Sequence, residues 1–216
     1  MISIYFGLPG AGKSSLGVWT ICDILMSMDA GKSPYKRIYT NIDHSIPDDR
    51  VITCSYSMMR DSDLGPQSLC IIDEGQMEFS DRGFKTFSRD DISFFVQHRR
   101  YGYDIIILTQ QWDGIDRKIR VITNKCYYIV KGKIFRGITH VYPVPYGILI
   151  PKKGDSESAK YGEIMQGYYK WGMFTTIFHK RIIRRPVYGL YDTFARPEKP
   201  QHPAYKSELE SAPNPS

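Results

Sequence analysis

Gly7-Leu8-Pro9-Gly10-Ala11-Gly12-Lys13-Ser14 spells G-x-x-x-x-G-K-[ST] in full, and its surroundings decide the fold. Ile2–Phe6, just before it, is a short apolar run. Residues 13–28, just after it, carry Leu16, Val18, Trp19, Ile21, Ile24 and Leu25 with little polar face, and Gly31 suits the stop. Strand, loop and helix in that order are the context a phosphate-binding loop requires. Glycines are needed because such a loop wraps phosphate with its own N–H groups, at backbone angles that a Cβ forbids. Lys13 is placed to meet the β- and γ-phosphates, Ser14 to ligate Mg²⁺, and the helix N-terminus favours negative charge. The expected nucleotide-binding residues are Gly7, Leu8, Pro9, Gly10, Ala11, Gly12, Lys13, Ser14 and Ser15, with ATP and Mg²⁺ as cofactors.

Working outward, residues 37–42 (RIYTNI) read as a second strand and residues 51–54 as a short extended piece. Residues 69–72 and 105–108 are continuously apolar, the mark of strands buried on both faces. Residues 90–100 suit a helix with a basic end, residues 113–123 a further helix, and residues 127–130 a strand. Strands alternating with helices, each strand apolar throughout, predict a three-layer α/β domain with a mainly parallel sheet. The core is assigned to residues 1–132. Residues 133–195, rich in aromatics, proline and glycine, are assigned to a small β-rich C-terminal appendage of the same domain, and the proline-rich residues 196–216 to a disordered tail.

Leu69-Cys70-Ile71-Ile72-Asp73-Glu74 is a buried strand ending in two carboxylates, the pattern that follows a phosphate loop in hydrolases. Asp73 supplies a hard oxygen ligand for Mg²⁺. Glu74 and Lys13 are the expected catalytic groups, Glu74 polarising the attacking water. A kinase passes phosphate to a bound acceptor and need not activate water, so the Asp-Glu pair favours hydrolysis. A nucleotide or metabolite kinase, whose loops look similar, is the enzyme alternative. Thr109-Gln110 ends the strand at residues 105–108, where polar groups face a ligand crevice. Gln110 is the third expected catalytic residue, as a γ-phosphate sensor or water-orienting amide, against plain strand-end polarity.

Composition narrows the class. At 216 residues, 42% hydrophobic and 24% charged, the chain suits one folded domain. Cys22, Cys54, Cys70 and Cys126 lie far apart, without metal-ligand spacing, and read as cytosolic thiols. No stretch approaches the ~20 apolar residues of a membrane-spanning helix, and no signal peptide is read. The net charge of +6 concentrates in residues 150–186, where eight Lys or Arg face three acids, a patch suited to nucleic acid or anionic lipid, or simply to a solvated face.

Taken together, these residues resemble the zonula occludens toxin family, which includes the inner-membrane assembly ATPases of filamentous phages. The likeness runs over residues 1–193. It rests on the N-terminal loop, Thr40-Asn41, Ile72-Asp73-Glu74, His98-Arg99-Arg100-Tyr101-Gly102-Tyr103-Asp104 leading to Thr109-Gln110, and Tyr188-Gly189-Leu190-Tyr191-Asp192. The resemblance implies a RecA-like core that hydrolyses ATP to drive phage extrusion, working as a homo-oligomeric ring in the host bacterial cytoplasm at the face of the inner membrane. Implied partners are phage or host inner-membrane assembly proteins and single-stranded DNA or phage nucleoprotein. In such rings a neighbour supplies an arginine, for which Arg99, Arg100, Arg117 and Arg120 are candidates. Family members usually continue through a transmembrane helix and this chain does not, which implies a fragment or a shorter variant docking on a membrane partner. The toxin activity belongs to a distal part that this chain lacks, so no toxin receptor is expected. A DNA-packaging ATPase and a non-hydrolysing nucleotide-gated adaptor share the same binding residues.

Overall fold

The structure, a computed structural model, describes residues 1–79, 88–134, 138–146, 182–183 and 190. Strand β1 (Ile2–Phe6) runs into the glycine loop and helix α1 (Lys13–Asp29). Then follow β2 (Arg37–Thr40), β3 (Val51–Thr53), α2 (Tyr56–Asp61), β4 (Ser68–Ile72), α3 (Gly75–Glu78) and α4 (Arg89–Tyr101). Strand β5 (Tyr103–Thr109), a 3-10 turn (Trp112–Gly114), α5 (Arg117–Ile122), β6 (Lys125–Ile134), β7 (Ile138–Tyr146) and β8 (Ile182–Ile183) complete the order.

The strands form one sheet, ordered β3-β2-β4-β5-β1-β6-β7-β8. Pairing is parallel from β3 to β6 and antiparallel from β6 to β8. Alternation along each strand explains the continuous apolar runs, since successive side chains enter opposite layers. Leu69 and Ile71 of β4 join Ile38 and Leu108 under α1, against Val18, Ile21 and Leu25. Cys70 and Ile72 face the other way with Ile4, Ile105 and Ile107, against Met59 of α2, Phe94 and Phe95 of α4 and Ile119 of α5. The result is the expected α/β architecture of helices on both faces of a mainly parallel sheet.

Close approach of α1 to the sheet depends on Gly17, where a Cβ would lie 2.6 Å from Ile42 Cδ1 and 2.9 Å from Leu108 Cδ1. Helix α1 ends as expected at Gly31, whose φ of 65° lets its N–H reach Met28 O while Lys32 N–H reaches Ser27 O. The apolar helix is not sandwiched along its whole length among the described residues, for Met26 is 59% exposed.

Two expectations need correction. The helix at residues 113–123 divides into the 3-10 turn and α5, because the Asp116 side chain caps a new helix by accepting from Lys118 N–H at 2.7 Å. The strand at residues 127–130 is the middle of ten-residue β6, which crosses position 132 to pair with β7. Helix α2, capped by Ser55, was not foreseen. The closing Tyr188–Asp192 motif, the basic segment at residues 150–186 and the tail lie outside the described residues, apart from 182–183 and 190.

Helix α4 carries two groups whose surroundings hold their pKa values low. Asp91 completes a capping box with Ser88 and accepts from Tyr56 Oη at 2.8 Å and Arg60 Nη1 at 3.0 Å, tying α2 to α4. Burial raises its pKa, but the hydrogen bonds from Ser88, Arg60 and Tyr56 together hold it below the ordinary value. His98 is buried with Nδ1 2.6 Å from Phe95 O, and Nε2 finds no protein partner among the described residues. Burial lowers its pKa, with Arg99 and the N-terminal amine adding to the effect and the Phe95 carbonyl and Asp104 opposing it. His44 is lowered too, by burial first, with Asp43 opposing. A depressed native pKa means that the unfolded chain binds the proton more readily, so stability is full above the unfolded value and falls below it. The melting temperature is therefore expected to fall as pH drops through about 6.5, and again as Asp91 protonates near its unfolded value of about 3.9. His98→Phe, measured alongside by thermal melts from pH 8 to 5, should flatten the upper step; an unchanged slope would assign it elsewhere.

Candidate nucleotide site

The register brings the chemistry to one edge. Ile4 is level with Ile107, Phe6 with Thr109, and Ile72 with Ile107, so the carboxyl ends of β1, β5 and β4 stand side by side. The glycine loop, Thr109-Gln110 and Asp73-Glu74 continue from those ends. Strand β5 lies between β1 and β4 and therefore inserts its polar terminus between the loop and the carboxylate pair.

Gly10 and Gly12 have φ of 74° and 95°, the left-handed conformation that the loop was expected to need, and a Cβ on Gly7 would lie 2.9 Å from Ile129 O. Gly7 N–H donates to Thr109 O at 3.3 Å and Ala11 N–H to Leu8 O at 3.1 Å, fixing the loop on β5 and on itself. The N-terminus of α1 has no side-chain cap and no acid in its first turn. Its leading N–H groups at Lys13, Ser14 and Ser15 lack intrahelical acceptors, a ready site for an anion.

Lys13 is only 7% exposed, and its Nζ donates to Gly7 O at 2.9 Å and Leu8 O at 3.1 Å. Burial pushes its pKa down, while Asp73 and then Glu74 push it up. A second cation, Lys131 of β6, places Nζ 3.5 Å from Gly10 O.

Asp73 is 9% exposed and accepts from Glu74 N–H at 2.8 Å, with Ser14 near enough to influence its charge. Burial raises its pKa; Ser14 and the Glu74 N–H oppose, Glu74 adds to the rise, and Lys13 lowers it. A hydroxyl and a carboxylate brought near one another are the hard-donor pair that suits Mg²⁺. Among the described residues no group of three or more His, Cys, Asp or Glu forms a separate metal cluster.

Glu74 is the N-cap of α3 and sits at φ 53°, ψ 40°, an uncommon conformation for a residue with a Cβ and the kind of outlier found at functional sites. Its carboxylate accepts from Gln110 Nε2 at 3.1 Å and from Gln76 Nε2. Thus Glu74 and Gln110, 36 residues apart in sequence, meet directly. Thr109 is fully buried and its hydroxyl contacts Gln76 Oε1 at 2.9 Å and Gln111 O at 3.1 Å, so the crevice is left to Gln110.

Two residues with local importance carried no assigned role in the sequence. Asn41, noted there only as part of a family motif, accepts from Asp73 N–H at 2.6 Å and donates to Asp73 O at 3.0 Å, locking the peptide that carries the carboxylate. Gln76 had no motif to mark it; a polar residue two places after Glu74 was its only signal.

The candidate arginines separate by exposure and position. Arg120 is 7% exposed and pairs with Asp113 at 3.4 Å, which removes it from the surface. Arg117 is half-buried at the start of α5, and Arg99 and Arg100 are exposed in the last turn of α4, at the opposite edge from the glycine loop.

A glycine loop on an uncapped helix, a buried strand-end aspartate beside the loop serine, and this strand order define an α/β P-loop protein with a nucleotide-type site. The chain belongs to the zonular occludens toxin (Zot) family, whose model matches residues 1–207. Among solved structures it is similar to the N-terminal domain of zonular occludens toxin from Neisseria meningitidis, at 20% identity and TM-score 0.48, covering 88% of this chain and 98% of that one. It is also similar to B204, the DNA-packaging ATPase of Sulfolobus Turreted Icosahedral Virus (15%, TM-score 0.46, covering 59% and 74%). A third likeness is to the flagellar accessory protein FlaH of Methanocaldococcus jannaschii (11%, TM-score 0.46, covering 67% and 76%). No curated protein matches it by sequence. No helix among the described residues is long and apolar enough to cross a membrane.

Proposed function

We propose that this chain is the ATP-hydrolysing motor of a filamentous-phage assembly machine, acting as a ring at the cytoplasmic face of the host inner membrane. Family membership supports the setting. The observation that carries the chemistry is the meeting of Glu74 and Gln110 at the sheet edge where Asp73 and the loop lysine and serine come together. In this reading the loop N–H groups and Lys13 hold the β- and γ-phosphates. Ser14 and Asp73 would hold Mg²⁺, which neutralises charge on the phosphate oxygens. Glu74 and Gln110 orient a water for in-line attack on the γ-phosphorus, the bond to the bridging oxygen breaks, and ADP and phosphate leave. The proposed partners are further copies of the chain, phage or host inner-membrane assembly proteins, and single-stranded DNA or phage nucleoprotein. Arg99, Arg100 and Arg117 remain the arginines that a neighbour would present.

The test is phosphate release from Mg-ATP at protein concentrations from nanomolar to tens of micromolar, with sizing in nucleotide and with or without single-stranded DNA. We expect release whose specific activity rises as subunits associate. ATP binding without release would make the chain an adaptor, and transfer to an added acceptor instead of water would make it a kinase. Flat activity in a protein that sizes as a monomer would remove the ring, and stimulation by DNA that fades with salt would point to a DNA-translocating motor.

A further inference from the structure

Glu74 Oε2 accepts from two amides that differ in what else they hold. Both bonds are solvent-exposed and both glutamines are half-buried, but among the described residues the Gln110 side chain bonds Glu74 alone, so it can leave for a ligand without breaking a second contact. Gln76, in the first turn of α3, holds the carboxylate with one end of its amide only. The other end of the Gln76 amide faces β5: its Oε1 accepts from Thr109 Oγ1 at 2.9 Å and from Gln110 N–H at 3.1 Å. One planar group thus joins the carboxylate to the terminus of the strand between the loop and Asp73.

The orientation of that amide follows from its neighbours. Rotating it by half a turn would set its NH₂ against the Gln110 N–H, a donor against a donor. It would also set its oxygen against the Glu74 carboxylate, an acceptor against an acceptor. Its stem is crowded as well, since Gln76 Cβ lies 3.1 Å from where a Cβ on Gly114 would stand, a tight approach of the 3-10 turn over it. A side chain fixed at both ends and along its stem has little freedom, and a group fixed in this way transmits displacement.

We propose that Gln76 is the positioning residue of Glu74, holding its carboxylate when Gln110 turns to a phosphate and coupling its place to the end of β5. The inference rests on the reading of Glu74 as the water-orienting group. It differs from a structural role in that the effect of Gln76 runs entirely through one carboxylate.

The experiment is a double-mutant cycle read in kcat, KM and ATP binding, with thermal melts as the folding control. Gln76→Ala is expected to lower kcat about tenfold to a hundredfold, as loss of a supporting partner typically does, with ATP affinity and melting temperature unchanged. Gln76→Glu keeps the shape but sets a second carboxylate beside Glu74, and should lower kcat at least as far. On a Glu74→Gln background, Gln76→Ala should cost no further activity within about twofold, because the group it positions is already gone. Losses that multiply across the cycle, or a Gln76→Ala defect confined to ATP binding, would overturn the proposal. Full activity in Gln76→Ala beside a crippled Glu74→Gln would overturn it while leaving the hydrolytic reading intact. Full activity in Glu74→Gln itself would overturn both.

Discussion

Lys13→Ala is expected to abolish ATP turnover while leaving the protein folded. The ammonium is buried and anchored to Gly7 O and Leu8 O, so it stands in the loop before a nucleotide arrives and needs little reorganisation to meet one. It is also the only lysine or arginine within the eight-residue loop motif. In the proposed mechanism it neutralises charge that moves from the γ- to the β-phosphate as the bridging bond breaks. Removing one pre-set donor of this kind costs about 10²–10³ in rate, or ~3–4 kcal/mol, and a lysine that spans two phosphates should cost at least that. Folding should survive, because Gly7 is also held by its N–H on Thr109 O and by the β1–β5 pairing beneath. Phosphate release under saturating Mg-ATP that stays within about threefold of wild type, with an unchanged melting curve, would sink the loop assignment, since no phosphate clamp can be that dispensable.

What was readable in the sequence divides along the range of the interactions. The elements β1, β4 and β5 were legible because a strand buried on both faces must be apolar at every position, and α1 because the glycine loop announces its start. Local rules were weaker where a segment is short: α2 has six residues and only Ser55 as a signal. The extent of β6 was hidden because its ladder is set by pairing with β7, a contact that the residues of β6 do not encode alone. The lysine, serine and carboxylates of the site were legible from motif spacing, and Gln110 from its place at a strand end. The contact between Gln110 and Glu74 was not, since it follows from β5 entering the sheet between β1 and β4, a non-local choice. Gln76 and the backbone lock of Asn41 on Asp73 are of the same kind. Each is a polar side chain in an ordinary setting until the sheet brings its partner 33 or 32 residues away into reach.

Glu74→Gln is expected to separate binding from hydrolysis. The amide has the size of the carboxylate and tolerates the left-handed backbone equally, so the α3 cap and the lock on Asp73 persist. The Mg²⁺-type donors Ser14 and Asp73 are untouched, and ATP affinity should match wild type. What is lost is the charge that polarises water and that strengthens the bonds to Oε2, the oxygen to which Gln76 Nε2 and Gln110 Nε2 both donate. With the amide oxygen in the place of Oε2, the new NH₂ stands where Oε1 lies 3.5 Å from Gln110 Nε2, a donor against a donor that disturbs the orientation of Gln110. Loss of a positioned general base typically costs 10²–10⁴, so kcat should fall by about that range with KM little changed. Isotope exchange between water and released phosphate isolates the chemical step, and a tight, slowly turning ATP complex is the result to expect. Wild-type turnover in this variant would make Glu74 a strand-end bystander and move the reading toward phosphoryl transfer to a bound acceptor, where no water needs activating.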